Sequence, residues 1–353
     1  MSSLEAAAAR LVTVGFPGKA LDPELERLLD RGVGGIILFK RNVGSPEEVA
    51  ELVRAAKRRA GRPLLATIDQ EGGPVARLRE GFTRIPPMRA LGATRDPELA
   101  RDVGRVMARE LAAVGIDLDF APVLDVDTNP QNPVIGARSF GPDAENVASL
   151  GAALARGMIE GGVAPCGKHF PGHGDTHQDS HHELPRVLHG LERLRAVELV
   201  PFATAVRADF PALMTAHVVM EGLDAETPAT MSAAVVGGIL REELGFRGVV
   251  FTDDVDMRAI ADHFDVSEVA ASCLSAGVDA FLCCQSVEVA HRMIDAIVAA
   301  VRSGAVPEQR LAEAYERVRK LAERWAKPPL EAFDLTALDS PAHRAVISRI
   351  PAG

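Results

Sequence analysis

The segment VAPCGKH, residues 163–169, shows the pattern that decides the fold of this chain. A short apolar run, Val163–Gly167, ends abruptly in two polar side chains, Lys168 and His169. Apolar runs without alternation are typical of strands in a parallel sheet whose two faces are both covered by helices. We therefore interpret this segment as a buried parallel strand that presents polar residues at its carboxyl end.

The same pattern recurs along the chain and predicts eight strands. They are Leu11–Phe16, Gly35–Phe39, Leu64–Ile68, Leu118–Ala121, Val163–Gly167, Ala212–Ala216, Val249–Thr252 and Ala280–Cys283. Segments with amphipathic helical spacing lie between and after them, at Pro46–Arg59, Pro97–Val114, Ala144–Gly161, Leu191–Ala208, Ser232–Leu244, Ser267–Ala276, Val287–Arg302 and Glu308–Trp325. This alternation predicts an α/β protein with a single (β/α)8 TIM-type barrel. An open, doubly wound sheet is the alternative, because alternation does not show that the sheet closes.

The domain organisation follows from where this alternation stops. We expect residues 1–330 to form the barrel domain and residues 331–353 to form a C-terminal extension. The chain beyond Lys327 contains prolines and has little periodicity. It is too short to bury a core of its own, so no second domain is predicted.

Composition excludes several functional classes. The formal net charge of −10 disfavours a nucleic-acid partner, because phosphate binding requires a basic face. No apolar stretch approaches the roughly 18 residues of a membrane span. Glu5 stands where a signal peptide carries positive charge, so we expect a cytoplasmic protein. The four cysteines include no C-x2-C pair, which disfavours a disulfide framework or structural zinc. We expect a monomer.

Polar and charged residues crowd the ends of the predicted strands. They are Asp69 and Glu71 after the third strand, Asp125 and Arg138 after the fourth, Lys168 and His169 after the fifth, His217 after the sixth, and Asp253 and Asp254 after the seventh. A single such aspartate is equally well explained as a turn former or a helix cap. Because the carboxyl ends of barrel strands meet at the face where active sites form, the recurrence predicts an enzyme site.

The loop after the fifth strand contains half of the ten histidines. They are His169, His173, His177, His181 and His182. The first four are spaced by four residues, which on a helix would stack the imidazoles and suggest a metal site. Pro171, Gly172 and Gly174 interrupt any helix there, so that argument fails. The composition is compatible with acid–base chemistry, with a metal site or with a solvated loop.

Two carboxylate arrangements have chemical content. Asp179 lies two residues before His181, and a carboxylate at that distance can fix the imidazole tautomer and raise its basicity. Asp253 and Asp254 are adjacent on a strand, so only one of them can face the barrel axis. The spacing does not say which one.

The segment KHFPGHGDTHQDSHHELP, residues 168–185, resembles the signature of bacterial β-N-acetylglucosaminidases of glycoside hydrolase family 3, the NagZ type. Six further motifs resemble the same family and occur in its order: IDQEGG (68–73), APVLDV (121–126), GARSFG (136–141), MTAHV (214–218), PATMS (228–232) and FTDDVDM (251–257). The resemblance covers about residues 11–300. Its histidine-rich loop distinguishes these enzymes from family 3 β-glucosidases, which usually take the acid/base from a second domain.

The resemblance implies a retaining exo-β-N-acetylglucosaminidase that forms a covalent glycosyl-enzyme. Asp253 matches the nucleophile, and His181 with Asp179 matches the acid/base dyad. The residues that match the sugar-binding positions are Asp69, Arg77, Arg138, Lys168 and His169. The resemblance further implies muropeptide substrates, as in peptidoglycan recycling, and neither cofactor nor metal.

One departure concerns the third strand end, where the family usually continues GGRV and this chain has Gly72-Gly73-Pro74-Val75. Pro74 removes a positive side chain and a backbone donor, although Arg77 keeps the expected offset.

Four other functions stay open: phosphorolysis of the same sugars, another β-glycosidase activity, metal-dependent hydrolysis, and sugar binding without catalysis. If His181 only binds sugar, Asp175 or Glu183 becomes the candidate acid.

Overall fold

The computed structural model describes residues 4–176 and 184–351, and eight parallel strands form its centre. They are β1 (Val12–Val14), β2 (Gly35–Leu38), β3 (Leu65–Ile68), β4 (Leu118–Asp119), β5 (Ala164–Phe170), β6 (Ala212–Thr215), β7 (Val249–Asp254) and β8 (Ala280–Cys283). β1 pairs with both β2 and β8, with Thr13 opposite Gly35 and Val12 opposite Phe281. The sheet is therefore closed, which confirms the (β/α)8 barrel and rules out the open doubly wound sheet.

Helices connect and surround the strands. The α-helices are Leu4–Arg10, Pro23–Arg31, Pro46–Ala60, Met88–Thr94, Pro97–Ala113, Ala144–Gly161, Leu191–Ala196, Leu199–Arg207, Arg258–Ala261, Val266–Ala276, Val287–Arg302, Glu308–Trp325 and Pro341–Ile347. Ala233–Glu243 is a π-helix, and Lys40–Asn42, Gly136–Arg138 and Ala229–Met231 are 3-10 turns. Ser45 illustrates why a helix begins where it does. Its hydroxyl accepts from the N–H of Glu48, whose carboxylate accepts from the N–H of Ser45.

Two strands extend further than the sequence predicts. β5 continues past Gly167 to Phe170, and β7 continues to Asp254. The predicted strands end before Lys168 and Asp253 because the sequence analysis follows apolar runs, and an uncompensated buried charge is unfavourable. Lys168 is only 2% exposed, yet its ammonium group is paired with carboxylates from a distant loop. Tertiary pairing thus allows charged residues inside these strands.

Other differences concern helices. The predicted helix Leu191–Ala208 is two helices, Leu191–Ala196 and Leu199–Arg207. Pro201 lies in the first turn of the second helix, the one part of a helix that tolerates a missing N–H donor. The tail after Lys327 contains the helix Pro341–Ile347, which the weak periodicity did not predict.

Two small sheets outside the barrel flank the carboxyl ends of its strands. Gln70–Gly72 pairs antiparallel with Val75–Ala76 directly after β3. Arg186–Gly190 pairs in parallel with Val219–Gly222, which follows β6. Their hydrogen bonds hold in place the segments that follow β3 and β6, next to the predicted site.

No helix among residues 4–176 and 184–351 is long and apolar enough to cross a membrane. Cytoplasmic localisation and a monomeric state stay predictions, as do the domain boundaries at residue 330. All four cysteine side chains are buried and free.

Candidate active site

The structure gathers the predicted polar residues at the carboxyl ends of the barrel strands. Asp69 follows β3, Asp125 follows β4, Lys168 and His169 lie within β5, His217 follows β6, and Asp253 lies within β7. Those that match sugar-binding positions in the family, together with Asp253, either hydrogen-bond to one another or border one cavity. They therefore form one site rather than several.

Asp69 is bound by two cations. Its Oδ1 lies 2.7 Å from Nζ of Lys168, and its Oδ2 lies 3.1 Å from Nη2 of Arg77. Burial alone would raise the pKa of Asp69, but Lys168 and Arg77 hold that pKa below its usual range. Arg77 reaches Asp69 although Pro74 interrupts the usual motif, because Gly73-Pro74 simply forms the turn between the two short strands that follow β3. Asp69 is thus an ionised acceptor at the floor of the site.

Glu71 is a site residue to which the sequence analysis gave no role. Its carboxylate accepts two hydrogen bonds from Arg138, at 2.8 Å from Nε and 2.7 Å from Nη2. It also lies 2.7 Å from Nζ of Lys168. These two cations outweigh burial and depress the pKa of Glu71 strongly. Its place in the IDQEGG motif was visible, but only the fold shows that it joins Arg138 to Lys168.

Asp125 is the second carboxylate that the sequence flagged by position alone. It is fully buried, and its Oδ2 lies 2.6 Å from Nδ1 of His169. Its Oδ1 accepts from the backbone N–H of His173 at 2.6 Å. Burial would raise the pKa of Asp125, but these partners lower it. Because an ionised carboxylate only accepts, His169 carries its proton on Nδ1 and directs Nε2 toward Arg138, 3.4 Å away.

The two adjacent aspartates of β7 have different surroundings. Oδ1 of Asp254 accepts from the backbone N–H groups of Asp256 (3.1 Å) and Cys284 (3.0 Å). Burial and the nearby Asp256 raise the pKa of Asp254 to about 7. Asp253 is half-buried, and no ion pair involves it among the residues that the structure describes. Oδ1 of Asp253 in turn accepts from the backbone N–H of Asp254 at 2.8 Å. The carboxylate of Asp254 therefore has more hydrogen-bond partners than that of Asp253, and the choice of Asp253 as nucleophile stays a prediction.

Two buried histidines near Asp253 are neutral at ordinary pH. Burial lowers the pKa of His173 to about 4, against the opposing effect of Asp125. Burial also lowers the pKa of His217, with Asp253 opposing. Nε2 of His217 lies 3.0 Å from the carbonyl of Asp254 and donates to it. A neutral imidazole beside Asp253 does not supply a paired cation to that carboxylate.

A cavity of 270 Å³ lies above these groups. Asp69, Arg77, Asp253 and Asp254 border it. Further lining residues are Asp256, Arg258, Gln285 and apolar side chains that include Phe39 and Met214. Arg77 lies over the Phe39 ring, 5.4 Å from its centroid. Hydroxyl groups both donate and accept hydrogen bonds, so a cavity that offers carboxylates and guanidinium groups side by side is suited to a polyhydroxylated ligand.

The histidine-rich loop is anchored where it leaves β5. Nδ2 of Asn132 donates to the carbonyl of His173 (2.8 Å), and Nδ2 of Asn129 donates to the carbonyl of Thr176 (3.0 Å). Beyond the loop, Nε2 of His189 lies 2.5 Å from the carboxylate of Asp175. The predicted acid/base residues His181 and Asp179, with Glu183, lie outside the described residues.

Asp119 is a buried carboxyl beneath the site. It is fully buried at the end of β4, and Oδ1 accepts from the backbone N–H of Gln70 at 2.8 Å. Oδ2 has no hydrogen-bond partner among the described residues. Burial without a directly bound cation raises the pKa of Asp119 to about 8. It therefore holds a proton at neutral pH.

The described ranges, 4–176 and 184–351, contain no group of three or more His, Cys, Asp or Glu side chains arranged to hold a metal ion. Within them, Asp69, Glu71 and Asp125 are bound by Lys, Arg or His rather than converging on one point. Whether a metal is required stays a prediction, because three of the five histidines of the histidine-rich segment lie outside these ranges.

Comparisons with known proteins agree on one family. A model described as the glycosyl hydrolase family 3 N terminal domain matches residues 3–321. A curated β-hexosaminidase from Thiobacillus denitrificans is 44% identical over 279 residues, which are 77% of this chain and 77% of that protein. A family 3 β-N-acetylglucosaminidase structure from Paenibacillus sp. str. FPU-7 superposes with a TM-score of 0.94 at 42% identity. The superposition covers 99% of this chain and 68% of the Paenibacillus chain.

NagZ from Neisseria gonorrhoeae is also similar, with a TM-score of 0.80, 34% identity and 96% of each chain covered. It has been solved in complex with N-trifluoroacetyl-D-glucosamine and, separately, with a zinc ion. A parallel barrel with a carboxylate and guanidinium site at its strand ends, together with these relatives, defines a glycoside hydrolase. The chain belongs to glycosyl hydrolase family 3.

The raised pKa of Asp119 predicts a pH dependence of stability. The folded pKa of about 8 exceeds the usual value of 3.8, so the folded state retains a proton that the unfolded state releases. The stabilisation from this proton is complete below pH 3.8 and is lost as pH rises toward 8. Asp119→Asn keeps the neutral shape and removes the titration. Between pH 6 and pH 8, the free energy of unfolding of the unsubstituted protein should fall by about 1–2 kcal/mol more than that of Asp119→Asn.

Urea unfolding at both pH values measures this difference. Asp254→Asn is a useful comparison, because that carboxyl also titrates in the folded state but lies at the end of β7. Identical pH slopes for the unsubstituted protein and Asp119→Asn would mean that Asp119 is ionised in the folded state at pH 6.

Proposed function

We propose that this family 3 hydrolase removes terminal β-linked N-acetylglucosamine by a retaining mechanism. The observation that carries the proposal is the position of Asp253: its carboxylate borders the same cavity as Asp69 and Arg77, and has no cation paired with it among the described residues. An unpaired, half-buried carboxylate is a competent nucleophile. The β-hexosaminidase and β-N-acetylglucosaminidase relatives, and the glucosamine derivative bound by one of them, support the choice of sugar.

In the proposed first step, a carboxylate oxygen of Asp253 bonds to the anomeric carbon while the bond to the glycosidic oxygen breaks. The leaving oxygen takes a proton from His181, which Asp179 orients. In the second step the same imidazole takes a proton from water, whose oxygen bonds to the anomeric carbon as the Asp253 ester breaks. Each step conserves charge within the site, and the sugar leaves with its original anomeric configuration.

We assign sugar binding to Asp69 and Arg77, which border the cavity, and to the groups joined to them by ion pairs and hydrogen bonds. These groups are Lys168, Arg138 and His169. Asp69 accepts hydrogen bonds from sugar hydroxyls, while Arg77, Arg138 and Lys168 donate to hydroxyl oxygens. His169, oriented by Asp125, directs Nε2 to the same region. Because each of these groups is already held by a partner, little side-chain freedom is lost on binding. We propose muropeptide fragments as natural substrates, as the family resemblance implies.

The nucleophile assignment predicts a covalent adduct. Incubation with a 5-fluoro N-acetylglucosaminyl fluoride should trap a glycosyl ester, because the electronegative substituent slows the second step. Peptide mass spectrometry should place the added mass on Asp253. Asp254→Asn is the matched control and should still be labelled, whereas Asp253→Ala should be unlabelled, remain folded and lose roughly 10⁴-fold in kcat. A label on any other residue would overturn the assignment.

The acid/base assignment predicts a dependence on the leaving group. A sugar leaving group needs protonation and a dinitrophenolate does not. His181→Ala should therefore slow cleavage of N,N′-diacetylchitobiose by about 10²–10⁴-fold and spare the glycosylation step of the dinitrophenyl glycoside. Asp179→Asn should show the same trend more weakly, since the imidazole remains. Equal losses on both substrates would assign these residues to binding and return Asp175 or Glu183 as candidate acids.

Metal dependence separates this proposal from metal-dependent hydrolysis. The zinc complex of the Neisseria relative makes the test necessary. Activity should survive exhaustive chelation, because each proposed step uses only Asp253, His181 and Asp179. Activity that disappears with the chelator and returns with added zinc would favour the metal mechanism.

Product analysis in phosphate buffer should yield free N-acetylglucosamine rather than its 1-phosphate, which distinguishes hydrolysis from phosphorolysis.

A further inference from the structure

A second buried carboxylate, Glu110, has no part in the proposed chemistry. It lies on the helix Pro97–Ala113 and is 4% exposed. Oε2 accepts from the backbone N–H of Thr83 at 2.9 Å, and Oε1 lies 2.6 Å from the Thr83 hydroxyl. Oε1 also accepts from Nδ1 of His343 at 2.8 Å and from the N–H of Asp339 at 3.0 Å. Four hydrogen bonds thus join this helix to two other segments, residues 77–87 and the C-terminal tail.

Residues 77–87 form the loop that delivers Arg77 to the site, and we name it the Arg77 loop. At its start, the side-chain oxygen of Gln70 accepts from the backbone N–H groups of Arg77 (2.8 Å) and Leu78 (3.0 Å). Arg77 then reaches Asp69. Thr83 occupies the middle of the loop and is 5% exposed. Its two hydrogen bonds to Glu110 therefore set how far the loop stands from the barrel.

The end of the Arg77 loop packs closely against the segment that carries Glu71. The carbonyl of Ile85 accepts from the N–H of Gly73 at 2.9 Å. A Cβ added at Gly72 would lie 2.9 Å from the side chain of Ile85, and one added at Gly73 would lie 2.7 Å from Pro87. Because so little space separates them, the Arg77 loop and the segment Gly72-Gly73 must move together.

The tail supplies the remaining partners of Glu110. The helix Pro341–Ile347 begins at Ser340, whose hydroxyl accepts from the N–H of His343. His343 is 6% exposed. Ile347 and Ile350, further along the tail, border a 650 Å³ cavity. Its other wall includes Arg84, Ile85, Pro86 and Pro87 at the end of the Arg77 loop. A buried carboxylate that loses a partner must reorganise, so removing His343 disturbs the group that holds Thr83.

We propose that residues 339–343 of the C-terminal tail position the Arg77 loop through the contact between His343 and Glu110. His343 and Glu110 are then positioning residues for substrate binding by Arg77 and Asp69, although neither borders the cavity. The inference rests on the proposed function, because that function assigns Arg77 to the sugar. It gives the tail a role in activity that its short length and weak periodicity did not suggest.

Steady-state kinetics of His343→Ala with 4-nitrophenyl N-acetyl-β-glucosaminide tests the proposal. We expect KM to rise about 10-fold with kcat changed by less than about 3-fold, because a loosened Arg77 weakens ground-state and transition-state binding alike. Arg349→Ala is the matched control. This substitution removes the ion pair between Arg349 and Asp102, whose N–O distance is 2.8 Å and which does not involve Glu110. It should leave both KM and kcat unchanged. An unchanged KM in His343→Ala would overturn the proposal.

A double-mutant cycle separates positioning from general loosening of the protein. In the Arg77→Ala background, His343→Ala should change KM by less than about 2-fold, because the residue that it positions is already absent. Independent, additive effects would show that His343 acts elsewhere. Thr83→Val removes only the 2.6 Å hydroxyl contact with Glu110 and keeps the tail intact. It should repeat the KM effect, and it takes the place of His343→Ala if that variant does not fold.

Hydrogen exchange distinguishes failure of this inference from failure of the proposed function. His343→Ala should accelerate exchange of the amides of residues 78–85, and Arg349→Ala should not. If the unsubstituted protein does not cleave the glucosaminide, the proposed function fails, and exchange still reports whether the tail holds the loop. Unchanged exchange contradicts the inference. Faster exchange with unchanged KM contradicts it too, because the loop position would then not affect substrate binding.

Discussion

The ammonium group of Lys168 is the contact on which the site depends. It lies 2.7 Å from Asp69 and 2.7 Å from Glu71, in a strand that is buried along its whole length. Two carboxylates this close would otherwise repel, and each would tend to hold a proton. Lys168 and Arg77 together keep Asp69 ionised, and Arg138 and Lys168 together keep Glu71 ionised, so Lys168 is the cation that the two carboxylates share. The floor of the site is therefore rigid and polar without being strongly charged.

This balance gives the carboxylates of the site separate roles. Asp69, Glu71 and Asp125 are bound by Lys, Arg or His, and their pKa values are held down. Asp119 lies below them, has no such partner within residues 4–176 and 184–351, and keeps its proton because burial raises its pKa to about 8. Asp253 borders the cavity with neutral histidines around it. Environment, rather than residue type, decides which of these carboxylates stays ionised and which one is protonated.

The fold was predictable because its signal is local: each strand is a short apolar run, and each run is followed by a helix. The positions of Asp69, Lys168 and His169 at strand ends were predictable for the same reason. The pairing of Lys168 with Asp69 was not, because these residues are 99 positions apart and only barrel closure brings them together. The different surroundings of Asp253 and Asp254 depend on backbone groups of a neighbouring loop, which no spacing rule describes, and the choice of Asp253 as nucleophile stays a prediction. His181 and Asp179 remain sequence predictions.

Barrel closure also has a consequence for biosynthesis. β1 ends at Val14, and the strand that completes its pairing, β8, ends at Cys283. During translation β1 pairs on one side only, and its other edge stays open until nearly the whole barrel has emerged from the ribosome. An exposed edge of Val12 and Val14 is a template for pairing with other chains. Slow synthesis and high concentration should therefore favour aggregation of nascent chains, even though the finished barrel has no open edge.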